Sequence, residues 1–414
     1  MNEMSKPPVP GIGITAKYPE VGTGPVDTAI YHDPAIYEKE MAAIFRRSWF
    51  MIGRVEQVAQ PGDFFTFYMP TFRQEVLVCR DRNGEVRAFH NVCTHRGNVV
   101  EHRREGHSNG LFTCRFHGWS FDLQGNLKGL RDEEGFFGLD KTCLGLKPIP
   151  MGLWQGFIWV CPEDEPHQSL EEFLGDQGRD TAGYPWGACT QFYQTEAEVA
   201  CNWKLVNDSP AEVYHIPVLH PNSAAPTMMA SGNVMGRLLD VEVRGNHRTN
   251  SHYSVMGEPK PVQKLAYYHA AAAQNVVRDD LEYEMPVGIN ATRSPFWTVD
   301  LIMFFPTLAF TLSAGMYTAH QVWPLGPNKS IYHQRVFVRP ATTAAERFGQ
   351  ENTMVEYRDI VMEDFSTLER IQRALDSGQI REFHYHDHEF ALRHQHHVVS
   401  QTLAAYDREQ AGEI

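Results

Sequence analysis

Two short cysteine–histidine pairs constrain this chain more than any other feature: Cys93-Thr94-His95 and, after eighteen intervening residues, Cys114-Arg115-Phe116-His117, each with a glycine close behind (Gly97, Gly118). Thiolates and imidazoles one or two residues apart on glycine-bearing turns suit two tight loops that pinch a metal centre between them. Two thiolates and two imidazoles are also a common tetrahedral zinc set. Structural zinc sites, however, usually pair Cys with Cys and His with His, whereas here each loop carries one of each. Scattered Cys and His at loop tips are the third reading.

The interleaving suits a Rieske [2Fe–2S] centre, in which one iron takes both thiolates and the other both imidazoles. The surrounding text agrees with a small all-β unit. Over 48–165, runs such as Phe64–Tyr68, Glu75–Arg80, Val86–Asn91, Leu111–Cys114 and Phe157–Val160 alternate with Pro61-Gly62, Asn83-Gly84, Asn109-Gly110 and Gln124-Gly125-Asn126. Closely spaced turn signals between short apolar runs predict short strands. Pro162-Glu-Asp-Glu-Pro166 marks the end of the unit. A chain of 414 residues has room for two or three domains, and 42% hydrophobic against 21% charged residues is enough for a large core.

Composition excludes several function classes. The net charge of −14 disfavours a phosphate-backbone binder, so no nucleic-acid partner is expected. The strongest apolar run, Val299 to Leu312, is broken by Asp300 and Pro306, so no membrane span is expected either. The first residues lack the apolar stretch of a signal peptide, and seven thinly spread cysteines are an odd number. Together these predict a cytoplasmic protein without a disulfide framework.

The second constellation lies in Asn202-Trp-Lys-Leu-Val-Asn-Asp208-Ser-Pro-Ala-Glu212-Val-Tyr214-His215-Ile-Pro217-Val-Leu-His220. A helical stretch is expected near 203–216, with Pro210 kinking or restarting it and Glu212 and His215 on one face. Pro217 should turn the chain out of the helix, letting His220 swing back toward His215. A mononuclear Fe(II) site needs two His and one carboxylate on one side of the metal. From Met354 to Leu375 the residues Tyr357, Ile360, Val361, Phe365, Leu368, Ile371 and Leu375 form a helical stripe, part of a long helix over about 353–377, with Asp364 in its middle. A carboxylate there needs a partner. Glu363, about 100° round the helix, should be more exposed and is the second choice. Taken singly, His215 and His220 read as satisfied core or surface histidines, and Asp364 as a helix-interface ion pair.

Taken together these segments resemble one family. Cys93-Thr-His95…Cys114-Arg-Phe-His117-Gly-Trp119, Asn202-Trp-Lys…Tyr214-His215-x4-His220 and Glu363-Asp364-x4-Glu369-x2-Gln372 are similar to the large (alpha) subunit of the Rieske non-haem iron ring-hydroxylating oxygenases, over roughly residues 40–380. The resemblance implies an α+β chain. A Rieske domain (46–165) would be inserted in a helix-grip catalytic domain, an antiparallel sheet around a long helix, formed by 1–45 and 166–414. It implies a cluster on Cys93, His95, Cys114 and His117, and Fe(II) on His215, His220 and Asp364. Asn98 and Phe116 stand where respiratory Rieske proteins have a stabilising disulfide, so a low-potential cluster is implied. Glu212, an aspartate in many members, would be the inter-site electron relay or would merely orient His215. The resemblance further implies a head-to-tail homotrimer, a ferredoxin or flavin-dependent reductase as electron donor, and possible company from a small beta subunit. The reaction implied is dihydroxylation, monohydroxylation or N-/O-dealkylation with O2 of an apolar, aromatic-type small molecule. A Rieske electron carrier without oxygenase chemistry is the alternative, against which stand the roughly 250 residues after the first constellation.

Other signals are weaker. His384, His386, His388, His394, His396 and His397 crowd the C-terminal region and read as a solvated or subunit-interface stretch. Cys79, Cys143, Cys161, Cys189 and Cys201 read as small apolar residues. Thr227-Met228-Met229 and Leu301–Phe305 read equally as pocket lining or core.

Overall fold

The computed structural model describes residues 10–228, 232–233, 235–253, 261–262, 264–266, 284–313 and 316–413, the side chains of Thr227, Met228 and Ser313 excepted. Met229 therefore lies outside the described residues. The chain forms two compact units, one of residues 46–173 and one of 1–45 with 174–414. Among the described residues no helix is long and apolar enough to cross a membrane.

The smaller unit is built of short antiparallel strands. Asp63–Met69, Gln74–Arg80, Val86–His90 and Glu105–His107 make a four-stranded sheet, Leu111–Thr113, Ser120–Asp122 and Leu127–Gly129 a second, and Phe50–Arg54, Met151–Trp154 and Phe157–Val160 a third. Phe64, Leu77, Phe89, Phe112, Trp119 and Phe121 pack into one core that also contains Cys93 and Cys114.

The larger unit is organised by a seven-stranded antiparallel sheet. In chain order its strands are β1 (Gln191–Val199), β2 (Asp240–Arg244), β3 (His247–Tyr253), β4 (Trp297–Phe304), β5 (Leu308–Ser313), β6 (Met316–Gly326) and β7 (Lys329–Val338), and their spatial order is β1-β7-β6-β5-β4-β3-β2. Side chains alternate across a strand. Tyr317 and Phe337 therefore stack on one face, joined by Trp186 and Phe310. Met316, Val336 and Val338 take the other, against Met354 and Tyr357 of the long helix α1 (Ala344–Asp376). Both faces are covered, which explains why β6 is buried almost without interruption rather than at every second residue.

Helix α1 begins about nine residues earlier than its apolar stripe suggested. A reciprocal capping box sets the start, with Thr343 Oγ1 accepting from Glu346 N–H and Glu346 accepting from Thr343 N–H. The short helix near the N-terminus (Pro34–Glu40, capped by Asp33) continues as a π-helical turn over Met41–Phe45, burying Ile44 and Phe45.

Two local expectations are corrected. The helix predicted over 203–216 stops at Asp208; a 3-10 turn follows over Ser209–Ala211, and Glu212 is extended (φ −140°). Pro210 lacks the N–H that would continue the ladder. Pro217 does not end a helix but sits in the first turn of a new one, Ile216–Leu219, where a missing N–H costs nothing.

Candidate functional site

The two Cys–His loops repeat one backbone pattern. In the first, Cys93 N–H donates to Asn98 O (2.7 Å) and Gly97 N–H to Cys93 O (2.9 Å); in the second, Cys114 N–H donates to Trp119 O (2.8 Å) and Gly118 N–H to Cys114 O (3.0 Å). Each loop closes through a left-handed glycine (φ +75° and +79°), a conformation open to residues without a Cβ. The histidine sits two residues after the cysteine in one loop and three in the other, and both rings come together with centroids 4.6 Å apart. His95 stacks on Trp119 (4.7 Å, 8°).

Both sulfurs are buried. Burial raises the Cys93 thiol. It also works against Cys114, but there hydrogen bonds led by Asn98 Nδ2 (3.5 Å from the sulfur) outweigh it and hold the thiol below its ordinary value. His95 Nδ1 is buried without a partner. A buried orphan imidazole nitrogen, a neighbouring imidazole and two buried sulfurs fit a bound metal group. Among the described residues, the set of three donors whose ligand atoms all lie within 4.8 Å of one another is His215, His220 and Asp364. The two thiols contact each other and the two imidazoles contact each other, a pairing that suits a cluster in which one iron takes both thiolates and the other both imidazoles.

The second site draws on three segments. Helix α2 (Trp203–Asp208) is capped by Asn202, whose Oδ1 accepts from Lys204 N–H (3.0 Å). The Asn-Trp-Lys run fixes this helix: Trp203 Nε1 donates to Glu40 Oε2 (2.9 Å), and Lys204 Nζ contacts both Glu40 oxygens (2.7 and 2.8 Å), all three residues being fully buried. Helix α1 holds it from the other side, where Gln372 Oε1 accepts from Asn202 N–H (2.8 Å) and Gln372 Nε2 donates to Tyr31 O (3.2 Å). Two turns before Gln372, the same helix presents Asp364.

Asp364 Oδ1 lies 3.0 Å from His220 Nε2 and 3.4 Å from His215 Nε2. The other nitrogen of each ring is taken: His215 Nδ1 by Glu212 Oε1, and His220 Nδ1 by Glu363 Oε2 (2.6 Å), which also accepts from Ser223 Oγ (2.6 Å). Glu212 Oε2 accepts from Tyr214 N–H. Glu212 reaches His215 from an extended backbone, not from the shared helical face expected of it. Glu363 has the more exposed side chain (41%, against 11% for Asp364) and serves the back of His220, a role its spacing gave no sign of. Three carboxylates therefore surround two imidazoles. Burial disfavours a charged His215, yet Asp364 and Glu212 raise it to about 10. The site is short of positive charge, and two Nε2 atoms with one carboxylate oxygen converge where a cation would supply it.

A cavity of about 290 Å³ reaches His215 and Asp364; Asp208, Glu212, Tyr385 and Glu389 form its polar wall, and Leu368 and Phe383 part of its apolar one. Of the C-terminal histidines, His384 is exposed as a solvated stretch requires and His386, His396 and His397 are half-buried, whereas two are buried. His388 is buried, its Nδ1 accepting from Leu238 N–H and its Nε2 facing Gly11 O, and His394 is buried too. His384 lines the cavity. Asp387 accepts from the N–H groups of Gly13, Ile14 and Thr15, which fastens the N-terminal segment. Four of the five remaining cysteines are buried as expected, but Cys143 is exposed. Leu301 and Met303 are core, packed with Ala211, Ala309 and Leu392.

Residues 48–140 match the Rieske [2Fe-2S] domain, and residues 187–405, more than half of the chain, match the ring hydroxylating alpha subunit (catalytic domain). The chain belongs to this family. A ring-hydroxylating alpha subunit carries a Rieske cluster and a mononuclear iron. Relatives include the large oxygenase component of the naphthalene 1,2-dioxygenase system of Pseudomonas aeruginosa (30% identical, covering 62% of this chain and 56% of that one). The chloroplastic choline monooxygenase of Amaranthus tricolor is 26% identical, covering 90% and 76%. The alignment thus spans little more than half of the naphthalene relative's length. Among solved structures, naphthalene 1,2-dioxygenase from Rhodococcus sp. (TM-score 0.72, 18% identity, covering 95% and 96%) and a quaternary ammonium Rieske monooxygenase (0.71, 19%, covering 96% and 99%) share the fold.

Proposed function

We propose that this alpha subunit is the terminal component of an oxygenase that hydroxylates or dealkylates a small molecule with O2. The convergence of His215, His220 and Asp364 on one point, in a chain that also carries the two Cys–His loops, is the observation that carries this reading. Cys93, His95, Cys114 and His117 would hold the cluster, and His215, His220 and Asp364 the Fe(II). When bound, the cluster passes electrons singly and the iron activates O2.

The chain's own residues set the conditions. Glu212 and Glu363 occupy the Nδ1 atoms, so both Nε2 atoms face the same point, and a carboxylate behind a ligating imidazole raises its basicity. Leu205, Leu219, Leu368, Ile371, Phe383 and Leu392 line the cavity and suit an apolar or aromatic body. The carboxylates on the same cavity support a second substrate class, an organic cation. Turnover assayed on arenes and on quaternary ammonium compounds separates the two.

Glu212 touches His215 and stands within the cavity, which supports its role as the relay between cluster and iron. The family's head-to-tail trimer would bring a second copy's cluster to it, with a ferredoxin or flavin-dependent reductase supplying electrons and a small beta subunit as an optional companion. Seven cysteines, none of them in a disulfide, suit the cytoplasm. The alternative, an electron carrier, leaves the second site without a purpose. Metal and sulfide analysis with EPR before and after dithionite tests the reading. About three irons and two sulfides per chain are expected, and about two irons that Fe(II) addition cannot raise would leave a carrier.

A further inference from the structure

Reductive O2 chemistry consumes protons as well as electrons. Whether one oxygen atom enters the product and the other leaves as water, or both enter as a diol, each O2 takes two electrons and two protons. The triad offers no donor of its own, because each Nδ1 is engaged by a carboxylate and each Nε2 faces Asp364. His220, Asp364 and Asp208 are themselves buried, so a positioned proton source in the cavity wall has a task to perform.

Asp208 ends helix α2, is buried, and lines the cavity that reaches His215 and Asp364. Its Oδ2 accepts from the Tyr31 hydroxyl (2.8 Å) and its Oδ1 from Gln395 Nε2 (2.8 Å). The Tyr31 hydroxyl lies 2.8 Å from that of Tyr385, which lines the same cavity. Tyr31 has one proton and directs it at Asp208, so the Tyr385 hydroxyl donates to Tyr31. The result is a continuous hydrogen-bonded line with both ends on the cavity. No fixed charge dominates it. Arg248 and Lys204 face Asp208 from the sheet and from its own helix, and Glu389 opposes them from the start of the last helix. Lys204 is already paired with Glu40 at 2.7 Å. Burial, the largest influence, raises the Asp208 carboxyl to about 7, while burial and then Asp208 itself raise Tyr31 well above its ordinary value. A carboxyl that both holds and releases its proton near neutrality, fed by hydroxyls that stay protonated, is suited to general acid work.

We propose that Asp208, recharged through Tyr31 from Tyr385, is the proton source for oxygen reduction in this cavity. The inference rests on the oxygenase reading above. In each transfer the Asp208 O–H bond breaks and the proton passes into the cavity to reduced oxygen. The carboxylate then takes the Tyr31 proton, Tyr31 takes that of Tyr385, and Tyr385 regains one from cavity water. No electron moves along this line; the electrons and O2 are those of the oxygenase reaction.

Two readouts test it. In metal-free protein, the infrared band of a protonated carboxyl should titrate near neutral pH and be missing from Asp208→Asn. In the holoenzyme with its reductant, Asp208→Asn should form product about a hundredfold more slowly. It should lose the fall in activity expected of wild type as pH rises through about 7, and release consumed O2 as hydrogen peroxide. Tyr31→Phe, with an intact cluster spectrum, should keep the carboxyl band yet uncouple in the same way, which keeps the test open if Asp208→Asn folds poorly. A wild-type infrared titration unchanged in Asp208→Asn, or full coupling of product to O2 in Tyr31→Phe, overturns the proposal. Wild-type holoenzyme that takes up no O2 with any substrate or donor overturns the oxygenase reading instead.

Discussion

The loops of the smaller unit and the triad of the larger one solve the same problem, holding the proposed metal donors in place, by opposite means. Cys93 to Asn98 and Cys114 to Trp119 are six-residue loops, each closed by its own backbone hydrogen bonds and its own glycine. The core that holds Cys93 and Cys114 together with Phe64, Phe112 and Trp119 then brings them together. His215, His220 and Asp364 come from segments more than 140 residues apart, and their orientation depends on Glu212, Glu363, Glu40 and Gln372, none of which is in the triad. Donors in self-closed loops are insensitive to changes far away in sequence. Donors that meet across a fold inherit the sensitivity of every contact that aligns the helices carrying them.

The sharpest way to break this contrast is to remove one donor from each site. Asp364→Ala should lose the mononuclear iron and essentially all turnover while the reduced cluster keeps its EPR signal, and Cys114→Ser should lose the cluster signal, and turnover with it, while keeping the mononuclear iron. Loss of both metals from either variant would show that the sites are not independent. Glu212→Gln should keep iron but lower turnover by about 10- to 100-fold, because it weakens the partner that orients His215. Single-turnover kinetics with a pre-reduced cluster would separate slow electron arrival from slow chemistry.

A subtler contrast concerns Glu40, which touches neither metal site. Glu40→Gln leaves the fully buried Lys204 ammonium without its counter-charge, and stability should fall by about 3 kcal/mol. Thermal melts should locate the loss in the larger unit, with the cluster spectrum unchanged. Replacing Lys204 by Met in the same chain should recover part of it.

The smallest effect expected is at Asp387. Burial raises its carboxyl, but the N–H groups of Thr15, Gly13 and Ile14 prevail and lower it from 3.8 to about 2. A carboxylate depressed on folding stabilises the native state above its unfolded value and loses that contribution as the pH falls toward the folded one. Wild type should thus lose stability between about pH 4 and 2 in excess of Asp387→Asn, read by acid titration of the larger unit's fluorescence.

Which parts were legible in the sequence follows from the same contrast. Cys93, His95, Cys114 and His117 could be picked out because their geometry is written locally, in spacing and glycines. Asp364 could be picked out because a carboxylate interrupts an apolar stripe. The local path of the chain between Asp208 and His220 could not: Pro210 and Pro217 announce a break, but whether each ends a turn or begins one depends on what the neighbouring segments bury. Glu40 and Tyr31 carry no local pattern at all, and Glu363, legible only as a second choice of ligand, gave no sign of its place behind His220. His388 and His394 read as surface residues until the packing of Phe390, and the hydrogen bonds from Leu238 and to Gly11, bury them.

The sequence by itself determined the chemistry of the proposed donors: two thiolates and two imidazoles on self-closing loops, and two more imidazoles with a carboxylate in an apolar stripe. Side-chain identity and short-range spacing are enough for that, since they fix which atoms can bind a cation. Only the tertiary structure decided what stands behind each donor, namely Glu212 and Glu363 on the imidazoles, Glu40 and Gln372 on the helix, and Asp208 and two tyrosines on the cavity wall. Those contacts join residues that are distant in the chain. Their energies come from burial and from hydrogen bonds that exist only once the sheet and the long helix have closed on one another.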